Sequence, residues 1–191
     1  MKAIIFDIDW VIIKSGSKKD EVIKSIIQKH HLYDIPWVKE IPSLWINRKL
    51  IVERIYELTP FDKETVLKNI NNEMAILESN PIKNENIINF INKNYKKYLF
   101  FTNTSLPIDW LNKVFDSLWI KDKFQELLAF ENGSKAENIY FVMKSYDIKP
   151  TDILFIDDNV NHIDLVKETW VHTLHFTDYD IDVEKYIASY G

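Results

Sequence analysis

Short runs of β-branched and aromatic residues alternate with longer segments of helical periodicity, and this alternation is the strongest constraint on the fold. Strands are predicted at 2–8, 98–102, 127–130, 152–156 and 171–176. Helices are predicted at 87–95, 107–118, 136–146, 160–169 and from residue 180 onward. Strands and helices that alternate at these lengths form a parallel sheet with helices on both faces. The sequence therefore predicts an α/β fold built on one parallel sheet.

The segment between the first two predicted strands has a different pattern. From about residue 17 to 79, apolar residues recur at helical spacing and no convincing strand is present. We therefore predict a core formed by residues 1–15 and 81–191, with a helical cap inserted at 16–80. Arg48 in this cap is a candidate for binding a second anionic group of a substrate, and packing of the cap is its alternative role.

The composition excludes several classes of protein. The 191 residues include 24 Lys and Arg against 29 Asp and Glu, a net charge of −5, without the basic stripe that nucleic-acid-binding proteins carry. Cysteine is absent, which excludes disulfide frameworks, thiol nucleophiles and thiolate metal sites. The apolar segment at 1–13 carries two aspartates and lacks the features of a signal peptide or membrane span. We expect a cytoplasmic protein with no nucleic-acid or membrane partner, and its oligomeric state stays open.

Polar residues follow three of the predicted strands at the point where each strand ends. Asp7-Ile8-Asp9 ends the first strand, Thr102-Asn103 the second, and Asp157-Asp158 the strand at 152–156. The carboxyl ends of parallel strands meet at one edge of the sheet, where such folds bind their ligands. Several carboxylates at one place require a cation, and oxygen ligands favour Mg²⁺. Lys135, just before a predicted helix, is placed to reach the same crevice.

Phosphoryl transfer is the chemistry that fits these side chains. One carboxylate attacks phosphorus to form an acyl phosphate, and a second carboxylate two residues later protonates the leaving oxygen and then activates water. A metal ion, a lysine and a hydroxyl group stabilise the charge on the phosphoryl oxygens.

Four short motifs, in this order, resemble those of the haloacid dehalogenase superfamily of hydrolases. They are Phe6-Asp7-Ile8-Asp9, Phe101-Thr102-Asn103, Lys135 and Phe155-Ile156-Asp157-Asp158. Each motif alone is weak, but all four in order, each at a predicted strand end or helix start, form a specific signal that covers nearly the whole chain. The resemblance implies a Rossmann-like core, an inserted small helical cap of the C1 type, and Mg²⁺ as cofactor.

The resemblance also implies catalytic roles for individual residues. Asp7 would be the nucleophile, and Asp9 would be the general acid and base. Thr102 would donate a hydrogen bond to the phosphoryl group, with the backbone of Asn103 close to the substrate. Lys135 would pair with Asp7 and with the phosphate.

Four aspartates are implied as the metal site in the same way. Asp7 and Asp158 would bind Mg²⁺ through their side chains, and Asp9 would bind it through its backbone carbonyl. Asp157 would act through a water molecule or from behind the direct ligands. His162, in the helix that follows, is expected to form a hydrogen bond rather than to bind the metal.

The second aspartate of the first motif narrows the activity. The dehalogenase branch lacks this carboxylate, so Asp9 favours a phosphatase or phosphotransferase. The resemblance thus implies a Mg²⁺-dependent phosphomonoester hydrolase that acts through an aspartyl phosphate on a small phosphorylated metabolite. A phosphomutase stays open, since mutases use both aspartates. A response-regulator receiver is a weaker alternative, because it has no inserted segment of this length.

Tryptophan stands at three positions where the motif pattern has glycine. The chain contains six Trp and three Gly, and Trp10, Trp119 and Trp170 occupy such positions. Glycine is usual at the last two because a left-handed backbone ends the helix there, and at Trp10 the backbone passes close to the expected phosphate site. Two explanations stay open: a divergent protein that keeps the fold as a binding or regulatory domain, and UGA codons that the cell reads as glycine.

Overall fold

The computed structural model describes residues 1–14, 64–65, 68 and 81–190. The chain divides into two units, Met1–Lys14 with Pro81–Gly191 and Ser15–Asn80. Within the second unit Glu64, Thr65 and Lys68 are helical. The rest of the predicted cap, Arg48 included, lies outside the described residues, so its helices and its anion contact stay predictions.

Five parallel strands form one sheet, with the spatial order β3-β2-β1-β4-β5. The strands are β1 (Ala3–Phe6), β2 (Leu99–Asn103), β3 (Glu126–Leu128), β4 (Ile153–Asp157) and β5 (His172–His175). Phe6 at the end of β1 pairs with Thr102 on one side and with Ile156 on the other. The carboxyl ends of the three central strands are therefore level with one another.

Helices alternate with these strands as the sequence predicts. They are α1 (Glu85–Asn94), α2 (Ile108–Leu118), α3 (Lys135–Tyr146), α4 (Val160–Lys167) and α5 (Val183–Ala188), with short 3₁₀ turns at Lys121–Lys123, Phe130–Asn132 and Pro150–Asp152. The predicted α/β fold is confirmed. The last helix begins at Val183 rather than at 180, because Asp182 caps it by accepting a hydrogen bond from the backbone N–H of Lys185.

Two apolar clusters cover the two faces of the sheet. Ile4 and Phe6 of β1 belong to the cluster packed under α1, α2 and α5, whereas Ala3 and Ile5 belong to the cluster packed under α3 and α4. All four side chains of β1 are fully buried. A strand buried on both faces has no polar alternation, which explains its continuous apolar run in the sequence.

The chain leaves and re-enters the core through a short hydrogen-bonded neck, formed by residues 13–14 and 82–83. The N–H of Lys14 donates to the carbonyl of Ile82 over 2.6 Å, and Ile13 bridges antiparallel to Lys83. Buried Asn84 fixes the loop after β1, because its side-chain amide donates to the carbonyl of Val11 over 3.0 Å. The described helices include none that is long and apolar enough to cross a membrane.

Candidate active site

The strand order reverses direction at β1. Strands β2 and β3 lie on one side of β1, and strands β4 and β5 lie on the other. In open α/β sheets a ligand binds at such a switch point, outside the carboxyl ends of the two flanking strands. Asp7 directly follows β1, and Asp157 ends β4 with Asp158 next in the chain. The three carboxylates thus lie where this architecture binds ligands.

Lys135 connects the ends of three strands. Its Nζ donates to Asp7 Oδ1 over 2.8 Å, to Asp157 Oδ2 over 2.5 Å and to the carbonyl of Asn103 over 2.9 Å. The lysine is buried. Three charge-assisted or polar hydrogen bonds therefore satisfy all three donors of a buried ammonium group.

A capped helix start places Lys135 at this point. Lys135 is the first residue of α3, and Ser134 before it accepts a hydrogen bond from the backbone N–H of Glu137, whose side chain in turn accepts one from the N–H of Ser134. This reciprocal capping box ends the loop and starts the helix at a defined residue. The helix begins one residue earlier than predicted for that reason, and Lys135 faces the strand ends from its first turn.

The electrostatics of the pair Lys135 and Asp157 favour an ionised state. Burial alone would lower the pKa of Lys135, but Asp7 and Asp157 outweigh it and hold that pKa above its ordinary value. Burial would raise the pKa of Asp157, but hydrogen bonds from His162 and Lys135 outweigh it and hold that pKa below its ordinary value. The centre of the site is therefore a buried ion pair.

The pKa values of Asp7 and Asp158 are raised, in contrast to that of Asp157. Burial raises the pKa of Asp7 to about 7, with Lys135 opposing and Asp157 adding to the rise. Burial and the charge of Asp157 raise the pKa of Asp158 to about 6. One Lys135 ammonium does not balance the negative charge gathered here.

The donor set fits a hard divalent cation. Asp7, Asp157 and Asp158 can each offer a ligand atom, and these atoms lie within 4.8 Å of one another. All three donors are carboxylate oxygens, the ligand type that Mg²⁺ prefers. Burial is the main reason that the pKa values of Asp7 and Asp158 are raised, and repulsion from neighbouring aspartates adds to it. A bound cation would offset both effects.

Asp157 is the most constrained of the three. Its Oδ1 accepts from the backbone N–H of Asn159 over 2.8 Å, and His162 Nδ1 lies 3.2 Å from both of its oxygens. Together with Lys135, these partners engage both oxygens of a fully buried carboxylate. The arrangement suits a residue that orients the lysine, and His162 forms the hydrogen bond expected of it.

Asn103 and Thr102 point to different partners. The side-chain amide of Asn103 donates to the backbone carbonyl of Lys135 over 2.8 Å, and its oxygen accepts from Asn138 over 2.9 Å. Asn103 thus fixes the start of α3 against β2, a role that its motif position did not reveal. The hydroxyl of buried Thr102 donates to the carbonyl of Leu128 over 3.1 Å. The hydroxyl could donate to a phosphoryl group only after its hydrogen bond to Leu128 is broken, so that role stays a prediction.

Asp9 and Tyr179 complete the surroundings of the carboxylates. Asp9 is half-buried in the loop after β1, and its charge contributes to the raised pKa of Asp7 and of Asp158. Burial, Asp158 and Asp9 together raise the pKa of Tyr179 to about 12. The sequence does not predict Tyr179 as part of the site. Its position in the chain could have indicated it, because Tyr179 lies in the loop after β5, and that loop starts at the same edge of the sheet as the carboxylates.

Trp10 lies beside Asp9 and stacks on Tyr179, with ring centroids 5.6 Å apart and an interplanar angle of 3°. Its backbone has a φ of 63°, in the left-handed region. Its indole Nε1 is buried without a hydrogen-bond acceptor among residues 1–14, 64–65, 68 and 81–190. The indole therefore occupies space at the edge of the site and makes no polar contribution there.

Solved structures of other proteins share this architecture. No family model matches the sequence, and no curated protein matches it. A haloacid dehalogenase superfamily hydrolase of subfamily IA from Geobacter sulfurreducens superposes with a TM-score of 0.75 at 15% identity, over 100% of this chain and 97% of its own. A predicted phosphoglycolate phosphatase from Haemophilus somnus gives 0.74 at 16%, over 97% and 90% respectively. The chain has the haloacid dehalogenase-like fold.

A β-phosphoglucomutase candidate from Thermotoga maritima shares the haloacid dehalogenase-like fold with this chain, with a TM-score of 0.74 at 16% identity over 100% of this chain and 92% of its own. The expected resemblance is thereby confirmed at the level of fold. Within this fold the four motifs supply the end of β1, the end of β2, the start of α3 and the end of β4. The structure brings Asp7, Lys135, Asp157 and Asp158 into one cluster with Asn103 behind it.

Proposed function

We propose that this protein is a Mg²⁺-dependent phosphomonoester hydrolase that acts through an aspartyl phosphate. The observation that carries the proposal is the buried Lys135 that joins Asp7 to Asp157 at the switch point of the sheet, with Asp158 in the same cluster. A nucleophilic carboxylate paired with a lysine, beside carboxylates that can hold a divalent cation, suits attack on a phosphoryl group, whose negative charge must be balanced as it reacts.

Asp7 is the proposed nucleophile. Its carboxylate oxygen forms a bond to phosphorus while the bond from phosphorus to the leaving alcohol breaks, and Asp9 gives its proton to that alcohol. Water then attacks the aspartyl phosphate, Asp9 takes the proton of the water, and the bond between phosphorus and Asp7 breaks. Inorganic phosphate leaves and both aspartates return to their starting states.

Lys135 and the aspartates at the end of β4 support this cycle. Lys135 holds Asp7 by one oxygen and keeps its own positive charge beside the phosphoryl oxygens. Asp7, Asp158 and the backbone carbonyl of Asp9 are the proposed Mg²⁺ ligands, with Asp157 acting from behind them. When bound, Mg²⁺ supplies positive charge that screens the phosphoryl oxygens from the carboxylates.

The proposed substrate is a small phosphorylated metabolite, with Arg48 as the candidate contact to a second anionic group. Two of the similar structures are named as a predicted phosphoglycolate phosphatase and as a candidate β-phosphoglucomutase, which are enzymes for such compounds. Because both aspartates also serve mutases, release of inorganic phosphate in place of transfer to a second hydroxyl distinguishes the hydrolase.

Hydrolysis of p-nitrophenyl phosphate tests the proposal directly. We expect turnover that requires Mg²⁺, disappears with EDTA, and returns when Mg²⁺ is restored. Asp7→Asn removes the nucleophile while it keeps the shape of the side chain, so turnover should fall to background. The exposed Asp122→Asn serves as the matched control and should retain full activity. Turnover above background that is equal in Asp7→Asn and in the unmodified chain would contradict the proposal.

A binding or regulatory domain is the second candidate, and the position of Trp10 favours it. The indole stacks on Tyr179 and directly follows the proposed acid–base residue Asp9 in the chain. A bulky side chain there would narrow the space for a leaving group. Trp10→Gly separates the two candidates. A hydrolase hindered by the indole gains turnover in this variant, whereas a binding domain stays inactive while calorimetry still detects Mg²⁺ binding.

A further inference from the structure

We infer that positions 10, 119 and 170 are glycine in the polypeptide that the cell makes, each codon being UGA read as glycine. This inference rests on backbone conformation and is independent of the proposed function. It concerns three sites in separate parts of the core: the loop after β1, the end of α2 and the end of α4.

All three tryptophans have a left-handed backbone. Their φ values are 63°, 56° and 63° for Trp10, Trp119 and Trp170. Side chains of L-residues crowd the backbone in this region, and for a bulky residue such a φ is a true outlier. Within the described part of the chain, Asp147 is the one other non-glycine residue with positive φ, and aspartate is among the residues that tolerate it.

One of the sites has the full hydrogen bonding of a glycine-terminated helix, and a second shares one of its two bonds. At the end of α2, the N–H of Trp119 donates to the carbonyl of Asp116 and the N–H of Ile120 donates to that of Phe115. This pair of bonds is the Schellman motif, whose left-handed position is usually glycine. After α4, the N–H of Trp170 donates to the carbonyl of Lys167 over 3.0 Å, the equivalent of the first of these bonds. The backbone ends α2 as it would with glycine, and after α4 it shares the left-handed residue and one of the two bonds.

The indoles at these helix ends gain nothing by packing. Trp119 is 85% exposed and Trp170 is 82% exposed. An exposed side chain buries too little apolar area to offset a strained backbone. Trp110 is the contrast, because it lies inside α2, is 4% exposed and belongs to the apolar cluster under that helix. Tryptophan is therefore well placed in this chain where the backbone is helical, and poorly placed where the backbone is left-handed.

A single change in decoding accounts for all three sites. The chain has three glycines, whereas average usage would give roughly 13 in this length. Independent divergence at three glycine positions would draw on many residue types, Asn and Asp first, since these adopt the left-handed conformation most readily. A codon that means tryptophan in one code and glycine in another yields tryptophan at every such position.

Peptide masses of the protein isolated from the cells that encode it test the inference. Trypsin releases peptides 3–14, 114–121 and 168–185, each of which contains one of the three positions. Recombinant protein made with tryptophan at all three provides the reference masses. We expect UGA at the three codons and the glycine mass for each peptide from the native cells. A UGG codon or a tryptophan mass at any of the three positions overturns the inference.

Discussion

At the scale of single residues, the positive charge of Lys135 lies between two buried carboxylates. The ammonium group is buried and touches two carboxylates that have little contact with solvent. Removal of one partner from a buried ion pair costs far more than the pair contributes, because the remaining charge stays buried and uncompensated. Without Lys135, both Asp7 and Asp157 would stay buried with their charge uncompensated.

Lys135→Met should therefore destabilise the protein and inactivate it. We expect the free energy of unfolding to fall by about 3–5 kcal/mol, measured by urea denaturation without a divalent cation, and turnover of p-nitrophenyl phosphate to fall to background. Lys144→Met on the exposed side of the same helix is the control and should stay within about 0.5 kcal/mol. Unchanged stability in Lys135→Met would show that the buried ion pair does not form in solution.

Replacement of a tryptophan that has a left-handed backbone should raise the free energy of unfolding, whereas Lys135→Met should lower it. Trp170→Gly removes a strained backbone and an exposed indole, so we expect the free energy of unfolding to rise by about 1 kcal/mol. Trp110→Gly should lower it by about 3–5 kcal/mol or more, since it opens a cavity in the core and puts glycine into a helix. Far-UV circular dichroism is the suitable signal, because both variants lose an indole fluorophore. A destabilised Trp170→Gly would contradict the assignment of strain.

At the scale of secondary structure elements, the start of α3 links the local sequence to the site. Ser134 and Glu137 cap the helix, and the next residue after the cap is Lys135. Asn103 holds the same helix start from the neighbouring strand through the carbonyl of Lys135. The position of the ammonium group thus depends on a cap and on a strand end, both outside the charged cluster.

Ser134→Ala tests this link. Loss of the cap should lower the free energy of unfolding by about 0.5–2 kcal/mol and should also reduce turnover, because Lys135 is the adjacent residue. Asp182→Ala removes the cap of α5 in the same way, and it should lower stability by a similar amount while turnover stays unchanged. Equal effects of the two variants on turnover would show that the cap of α3 has no special relation to the site.

The elements were predictable where one local rule decides them. Continuous apolar runs identified β1 and β4 because both faces of these strands are buried, and the order of the motifs identified the sheet edge where the carboxylates meet. The contacts of Thr102 and Asn103 were not predictable, since a short polar side chain bonds to whichever backbone group the neighbouring element presents. The stacking of Tyr179 on Trp10 depends likewise on how two distant loops meet.

At the scale of the whole molecule, the burial of carboxylates that lie close together makes stability depend on pH. Asp7 and Asp158 have pKa values of about 7 and about 6 in the folded chain, against an ordinary value of 3.8. The folded state therefore binds more protons than the unfolded state between about pH 4 and pH 7. The free energy of unfolding must fall as the pH rises through that window. The lowered pKa of Asp157 acts below about pH 4, outside the window.

Without divalent cations we expect the free energy of unfolding to fall by a few kcal/mol between pH 4 and pH 7. Mg²⁺ should restore stability at pH 7 and have less effect at pH 5, where protons compete for the same carboxylates. Urea denaturation at both pH values, with and without Mg²⁺, measures this. Asp158→Asn should flatten the profile and Asp122→Asn should leave it unchanged. A flat profile in the unmodified chain would contradict the raised pKa values.

The neck at residues 13–14 and 82–83 has a consequence for how such a chain can evolve. Its two backbones are hydrogen-bonded neighbours, so the core has residues 14 and 82 side by side although 67 residues separate them in the chain. A segment tethered in this way can grow, shrink or be exchanged without a shift in the register of any strand. The sequence and length of residues 15–80 can therefore change in evolution while the strands of the sheet stay as they are.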